Sequence, residues 1–125
     1  MKPRLDHIGL DVSDYERSRA FYNKALAPFG MTLLMEPVLE VGGFGGDFPF
    51  FWIATRDRGP DSGTHVAFTA PDRETVDVFH AAALEAGGKD NGGPGVREIY
   101  HPNYYGAFVL DPDGNNVEAV CHTPA

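Results

Sequence analysis

Three side chains, widely separated in a chain of 125 residues, have the types needed to hold a divalent cation together: His7, His65 and Glu118. Glu118 stands in the run Asn116-Val117-Glu118-Ala119-Val120-Cys121, an acid among residues that favour burial. An unpaired carboxylate in apolar surroundings is costly, so a cation is the natural partner to look for. The histidines are related by an internal repeat. Shifting the first segment by 58 positions lays His7 on His65, Asp14 on Asp72, Phe21 on Phe79, Ala25 on Ala83, Leu26 on Leu84 and Gly30 on Gly88. Aligning the last strands of the two copies by their turns, Asp47 on Asp113, sets Trp52 opposite Glu118. One copy then offers one ligand and the other offers two. Two imidazoles and one carboxylate suit a first-row divalent metal with open positions. Such a set requires neutral histidines and an ionised Glu118, so metal affinity should fall as pH drops toward the histidine range.

The elements that must position these groups follow from periodicity. Leu5 to Val12 alternates, with Ile8, Leu10 and Val12 toward a helix and His7, Gly9 and Asp11 on the other face. Ser13-Asp14-Tyr15-Glu16 has the form of a capping box and predicts a helix to about Ala27, buried through Phe21, Tyr22, Ala25 and Leu26. Pro28 and Gly30 end it. Strands are expected over Met31 to Glu36, Val38 to Val41 and Phe50 to Thr55, with Gly42-Gly43-Phe44-Gly45-Gly46 as a flexible hairpin loop. Those glycines lack the spacing of a phosphate-binding loop. In the second copy Thr64, Val66, Phe68 and Ala70 face a helix that Asp72 caps and that runs to about Ala86, while His65, Ala67 and Thr69 face away. A mobile stretch from Lys89 to Gly95 then precedes strands at Val96 to Tyr100, Tyr104 to Leu110 and Asn116 to His122. Asp111-Pro112-Asp113-Gly114 joins the last two as a tight turn. The resulting class is α+β: two paired βαβββ modules, about 1–58 and about 59–125, forming a curved mixed sheet around a metal-site cleft.

Composition narrows the functions. At 42% hydrophobic and 22% charged, the chain suits one soluble globular domain. A net charge of −8 argues against nucleic acid, which requires clustered basic residues. No apolar run approaches the ~20 residues of a bilayer span, and the N-terminal stretch lacks the apolar core of a signal peptide. The single cysteine, Cys121, excludes an internal disulfide and fits a reducing cytoplasm.

With these motifs in place, the chain resembles the vicinal oxygen chelate superfamily of glyoxalases, bleomycin resistance proteins, extradiol dioxygenases and fosfomycin-resistance thiol transferases. The resemblance covers nearly the whole chain. It is carried by Asp6-His7-Ile8-Gly9-Leu10, Ser18-Arg19-Ala20-Phe21-Tyr22, Thr64-His65-Val66-Ala67-Phe68 and, most specifically, Asp111-Pro112-Asp113-Gly114-Asn115-Asn116-Val117-Glu118. It implies a metal that chelates two neighbouring substrate oxygens, with His7, His65 and Glu118 as ligands and Fe, Mn, Ni, Zn or Co as the ion. It also implies a homodimer, His7 coming from one subunit and His65 with Glu118 from the other. Glyoxalase I enzymes usually carry a fourth, carboxylate ligand where Trp52 stands here. Fosfomycin transferases have a potassium loop with no clear equivalent between Gly87 and Tyr100. Extradiol dioxygenases use a nearby histidine and tyrosine, places that His101 with Tyr104 or Tyr105 could fill.

The expected function is thus a divalent-metal-dependent enzyme acting on a small substrate that chelates through adjacent oxygens, whether as lyase, isomerase, thiol transferase or ring-cleaving dioxygenase. The alternative is a metal-free protein that sequesters a cationic or aromatic drug, as bleomycin resistance proteins do. The acidity and the aromatics fit that role, but such binders have generally lost the ligands that are intact here. Trp52 and Phe50 are candidates for the pocket floor. His80 is expected to cap or pack, His122 to lie outside the ligand set, Asp111 and Asp113 to build the turn, and Cys121 to be a buried inert thiol.

Overall fold

Alternating strands and amphipathic helices resolve into the order βαβββ twice in the computed structural model, which describes residues 2–125. Module one comprises β1 (Ile8–Asp11), α1 (Tyr15–Ala25), β2 (Thr32–Met35), β3 (Val41–Gly45) and β4 (Phe51–Ala54). Module two comprises β5 (His65–Thr69), α2 (Arg73–Glu85), β6 (Lys89–Val96), β7 (Tyr105–Leu110) and β8 (Asn116–Cys121). Each module carries its own four-stranded mixed sheet, ordered β1-β4-β3-β2 and β5-β8-β7-β6. The first strand of each runs parallel to the last, and the remaining pairs are antiparallel. Among the described residues no helix is long and apolar enough to cross a membrane.

The two helices begin alike. Asp14 accepts a hydrogen bond from the Arg17 backbone N–H at 3.1 Å, and Asp72 accepts one from Thr75 at 2.8 Å. Each cap satisfies one of the amide donors that a helix start leaves unpaired. The capping box expected from Ser13 and Glu16 does not form. Ser13 donates its hydroxyl to Asp113 across the module boundary, and Glu16 pairs with Arg19 at 2.7 Å. α1 ends at Ala25, and a 3-10 turn over Ala27–Phe29 leads to Gly30 at φ 79°. Few residues besides glycine hold that angle without strain.

The inward faces of both sheets and both helices share one core. Phe29 sits between Phe68 and Phe79, with centroids 5.7 and 5.6 Å away, and Phe51 meets Phe68 edge-on at 5.3 Å. Aromatic pairs of this kind add roughly 0.5–1.5 kcal/mol each beyond the area they bury. The modules are also tied by a polar bond: the buried Tyr22 hydroxyl donates to Asp111 at 2.5 Å. Asp111 accepts from the backbone N–H groups of Asp113 and Asn115 as well, both at 2.9 Å, so it builds the turn and anchors α1 together.

Two glycine-rich segments differ from expectation, the first because of close packing. The glycine run is not a loop. Gly42 to Gly45 form most of β3, in the interior of its sheet and buried, while residues 38–40 make the turn before it. A Cβ on Gly43 would stand 2.8 Å from the Trp52 ring, and one on Gly45 would overlap the Phe48 carbonyl oxygen. Glycine in a strand marks such approaches. Likewise Lys89 to Val96 is an edge strand rather than a mobile stretch, with register shifts at Asp90/Gly92 and Gly92/Gly95. An edge strand tolerates Pro94, because its outer side needs no donor. The strand expected over 96–100 becomes the turn after it.

Candidate functional site: two half-sites on two sheets

Alternation along β1 and β5 turns the candidate ligands away from the shared core. In β5, His65, Ala67 and Thr69 are exposed, whereas Val66 and Phe68 are buried. The parallel pairing of β5 with β8 sets Ala67 beside Glu118, and the matching pairing in module one sets Gly9 beside Trp52. Trp52 therefore occupies in module one the position that Glu118 occupies in module two, as the turn alignment predicts.

Glu118 is 1% exposed. Its two oxygens are taken by His65 Nε2, at 2.8 Å, and by the Tyr104 hydroxyl, which donates to it. No lysine or arginine pairs with it among the described residues. An imidazole and a phenol are its side-chain partners, so no lysine or arginine offsets the cost of burying this carboxylate. Burial, followed by the hydrogen bond to Glu118 and the charge on that carboxylate, pushes the Tyr104 phenol well above its ordinary range. At neutral pH Tyr104 is thus a hydrogen-bond donor and not a base. Gly106 gives the group room: a Cβ there would lie 3.2 Å from Glu118 Oε2.

Around the Tyr104 ring stand Tyr100, His101 and His122, with centroids at 4.7, 5.6 and 5.4 Å. His101 Nε2 lies 2.8 Å from His122 Nδ1, and His101 Nδ1 accepts from the Asn103 backbone N–H at 3.0 Å. These contacts assign the tautomers. Nδ1 of His101 needs its lone pair for Asn103, so the hydrogen sits on Nε2 and is donated to His122. His122, expected to lie outside the ligand set, is a partner of His101. The signal for its place is the period of two along β8, which carries Glu118, Val120 and His122 to one face.

Other candidates separate. Tyr105 points to the helix side, its hydroxyl donating to Asp77 at 2.6 Å under the Arg73 guanidinium, so it takes no part with Tyr104. Phe50 packs beside Phe48 and the core and does not line the cleft that Trp52 lines. His80 pairs with Asp90 at 2.9 Å. Cys121 is buried.

His7 lies on the other sheet, at the mouth of a cleft of about 610 Å³ that also includes Gly9, Asp11 and Trp52. Its Nδ1 is 2.7 Å from Asp6 Oδ2. Among the described residues no three His, Cys, Asp or Glu side chains group within one chain to hold a metal. His65 and Glu118 adjoin in module two, and His7 of module one forms no such group with them.

A model of the Glyoxalase/Bleomycin resistance protein/Dioxygenase superfamily matches residues 4–119. The chain belongs to that superfamily. Its members typically use a divalent metal, and they include enzymes as well as proteins without enzymatic activity. Among solved structures, a glyoxalase/bleomycin resistance protein from Albidiferax ferrireducens T118 is 28% identical over 94% of this chain and 97% of its own, with a TM-score of 0.81. A putative glyoxalase from Bacillus halodurans is 25% identical over 94% of each chain, with a TM-score of 0.66. A lactoylglutathione lyase from Agrobacterium tumefaciens shares the fold at 18% identity and a TM-score of 0.68, over 96% of this chain and 94% of its own. A comparison with curated proteins found no match.

Proposed function

We propose that this superfamily member is a divalent-metal-dependent enzyme whose site forms between two copies of the chain. His7 comes from one subunit, and His65 and Glu118 come from the partner subunit. The observation that carries the reading is Glu118, buried to 1% exposure with His65 Nε2 at 2.8 Å and no arginine or lysine against it. The exposed outward face of β5 supports the dimer, because a half-site open in one chain needs a second surface to close it. When bound, the ion would polarise two adjacent oxygens of a small substrate and stabilise the negative charge that develops as a proton leaves. Tyr104 donates its hydroxyl hydrogen to Glu118 and so fixes that carboxylate, and Trp52 supplies an apolar wall. His101 with His122 holds the Tyr104 ring in place.

The experiment is metal content after purification without chelator, for the wild type and for His7→Ala, His65→Ala and Glu118→Ala. We expect about one ion per chain in the wild type and at least a tenfold loss in each variant, by loss of one of three ligands. Mixing His7→Ala with His65→Ala should restore about one quarter of the sites, since random pairing through a two-fold interface leaves one intact site in each mixed dimer. The second reading is a metal-free drug-binding protein, favoured by the net charge of −8. Equal metal in all four proteins would select it.

A further inference from the structure

We infer that the cleft on module one takes a substrate with an anionic tail, a carboxylate or phosphate-class group held by Arg56 and Arg58 at the end remote from His7. The inference rests on His7 marking the metal end of the site. Alternation puts His7, Gly9 and Asp11 on one face of the β1 line, and a strand rise of ~3.3 Å per residue separates the first from the last by about 13 Å. Asp11 is 6% exposed, and its two oxygens receive Nε of Arg56, at 3.2 Å, and Nε of Arg58. Asp61 accepts from the Asp11 backbone N–H at 2.7 Å and closes the underside.

Arg58 is oriented by its Nε hydrogen bond to Asp11, and Arg56 is drawn to the same carboxylate as an ion pair. Their terminal nitrogens make no hydrogen bond to the protein among the described residues, and the two side chains are 56% and 70% exposed. A guanidinium held by Nε offers its remaining N–H groups as a fork, which fits two oxygens of a carboxylate or phosphate. Asp61 also acts on Arg58, so with Asp11 the cluster carries no net formal charge. Anion capture therefore depends on directed donors, in a chain whose net charge of −8 repels anions at long range. Between the two ends lies Trp52, paired in register with Gly9 and packed over Gly43, neither of which has a side chain to obstruct it. The cleft thus reads, in order, as metal end, flat apolar wall and anion end.

Trp52 is the only tryptophan, so emission excited beyond tyrosine absorption reports on this cleft alone. Benzoate, phenylphosphonate and neutral benzamide are the probes, titrated against metal-free and metal-loaded protein. We expect benzoate or phenylphosphonate to perturb Trp52 saturably at concentrations at least tenfold below benzamide, and whichever anion binds tighter names the tail. Arg56→Gln with Arg58→Gln should remove that preference. Because it also strips Asp11 of partners, Arg56→Lys with Arg58→Lys serves as the second variant: Asp11 stays neutralised, the forks are gone, and the preference should fall at least fivefold. Equal binding of benzoate, phenylphosphonate and benzamide, or an undiminished anion preference in the lysine variant, overturns the inference. Metal content of the same samples separates the outcomes. Metal bound without anion preference defeats the anionic tail alone, whereas anion preference without metal defeats only the metal-dependent reading.

Discussion

Modules one and two share a chain path and differ in what they present outward. Both carry a helix capped by aspartate, Asp14 or Asp72, and both bury a phenylalanine at the same helical position, Phe21 or Phe79. On the outward face the equivalents diverge: Trp52 against Glu118, and Asp11 with its arginines against Thr69. The inward face answers to packing density, which tolerates little change. The outward face is free of that constraint, so two copies of one architecture can present different side chains there; in the reading proposed above these are different halves of one site.

That comparison can be broken at graded cost. Phe21→Ala and Phe79→Ala each empty a fully buried aromatic site, and each should cost about 3–5 kcal/mol in denaturant unfolding. A much smaller loss in one would show that the modules do not share the core equally. Next comes a contrast between interior-strand glycines. Gly45→Ala drives a Cβ into the Phe48 backbone and should cost about 1–3 kcal/mol, whereas Gly106→Ala comes within 3.2 Å of Glu118 Oε2 and the Tyr104 ring, which need give only a few tenths of an ångström. The second should fold nearly as well as the wild type while weakening metal retention; equal destabilisation would undo the distinction between packing and binding faces.

Tyr22→Phe removes the hydroxyl that ties α1 to Asp111. About 1–2 kcal/mol is expected, because Asn115 still serves the carboxylate. The smallest effect lies at the helix starts. Asp72→Ala should lower the melting temperature by a few degrees at neutral pH. The side-chain and backbone hydrogen bonds from Thr75 hold the Asp72 carboxyl below its ordinary value. A lowered folded-state pKa gives stability that is present above the unfolded value of ~3.9 and is lost as pH falls through the folded value. The wild-type and variant melting curves should therefore converge in acid. A gap that persists there would assign the effect to something other than the ionised cap.

Much of the fold was legible because it is written in local periods. The repeat of 58 residues, the helices, the turn at Asp111 to Gly114 and the match of Trp52 with Glu118 all follow from spacing along the chain. The errors share a cause. Gly42 to Gly45 and Lys89 to Gly95 read as loops because glycine has low strand preference, yet both are strands: in the first another backbone or ring comes too close for a side chain, and the second is an irregular edge paired with β7. Of the candidate site, Glu118 with His65 and Tyr104 came together, Tyr105 turned to the helix, and His101 found a partner in His122.

By itself the sequence determined the two modules, the inward faces and which residue types could bind a cation, since these depend on hydrophobic period and side-chain chemistry. Only the tertiary structure decided that Glu118 is buried without a fixed cation, that Arg56 and Arg58 meet on Asp11, and that His7 lies on a different sheet from His65. Those facts depend on which strands are neighbours in space, and contact between residues distant in the chain is set by the packing of the whole core.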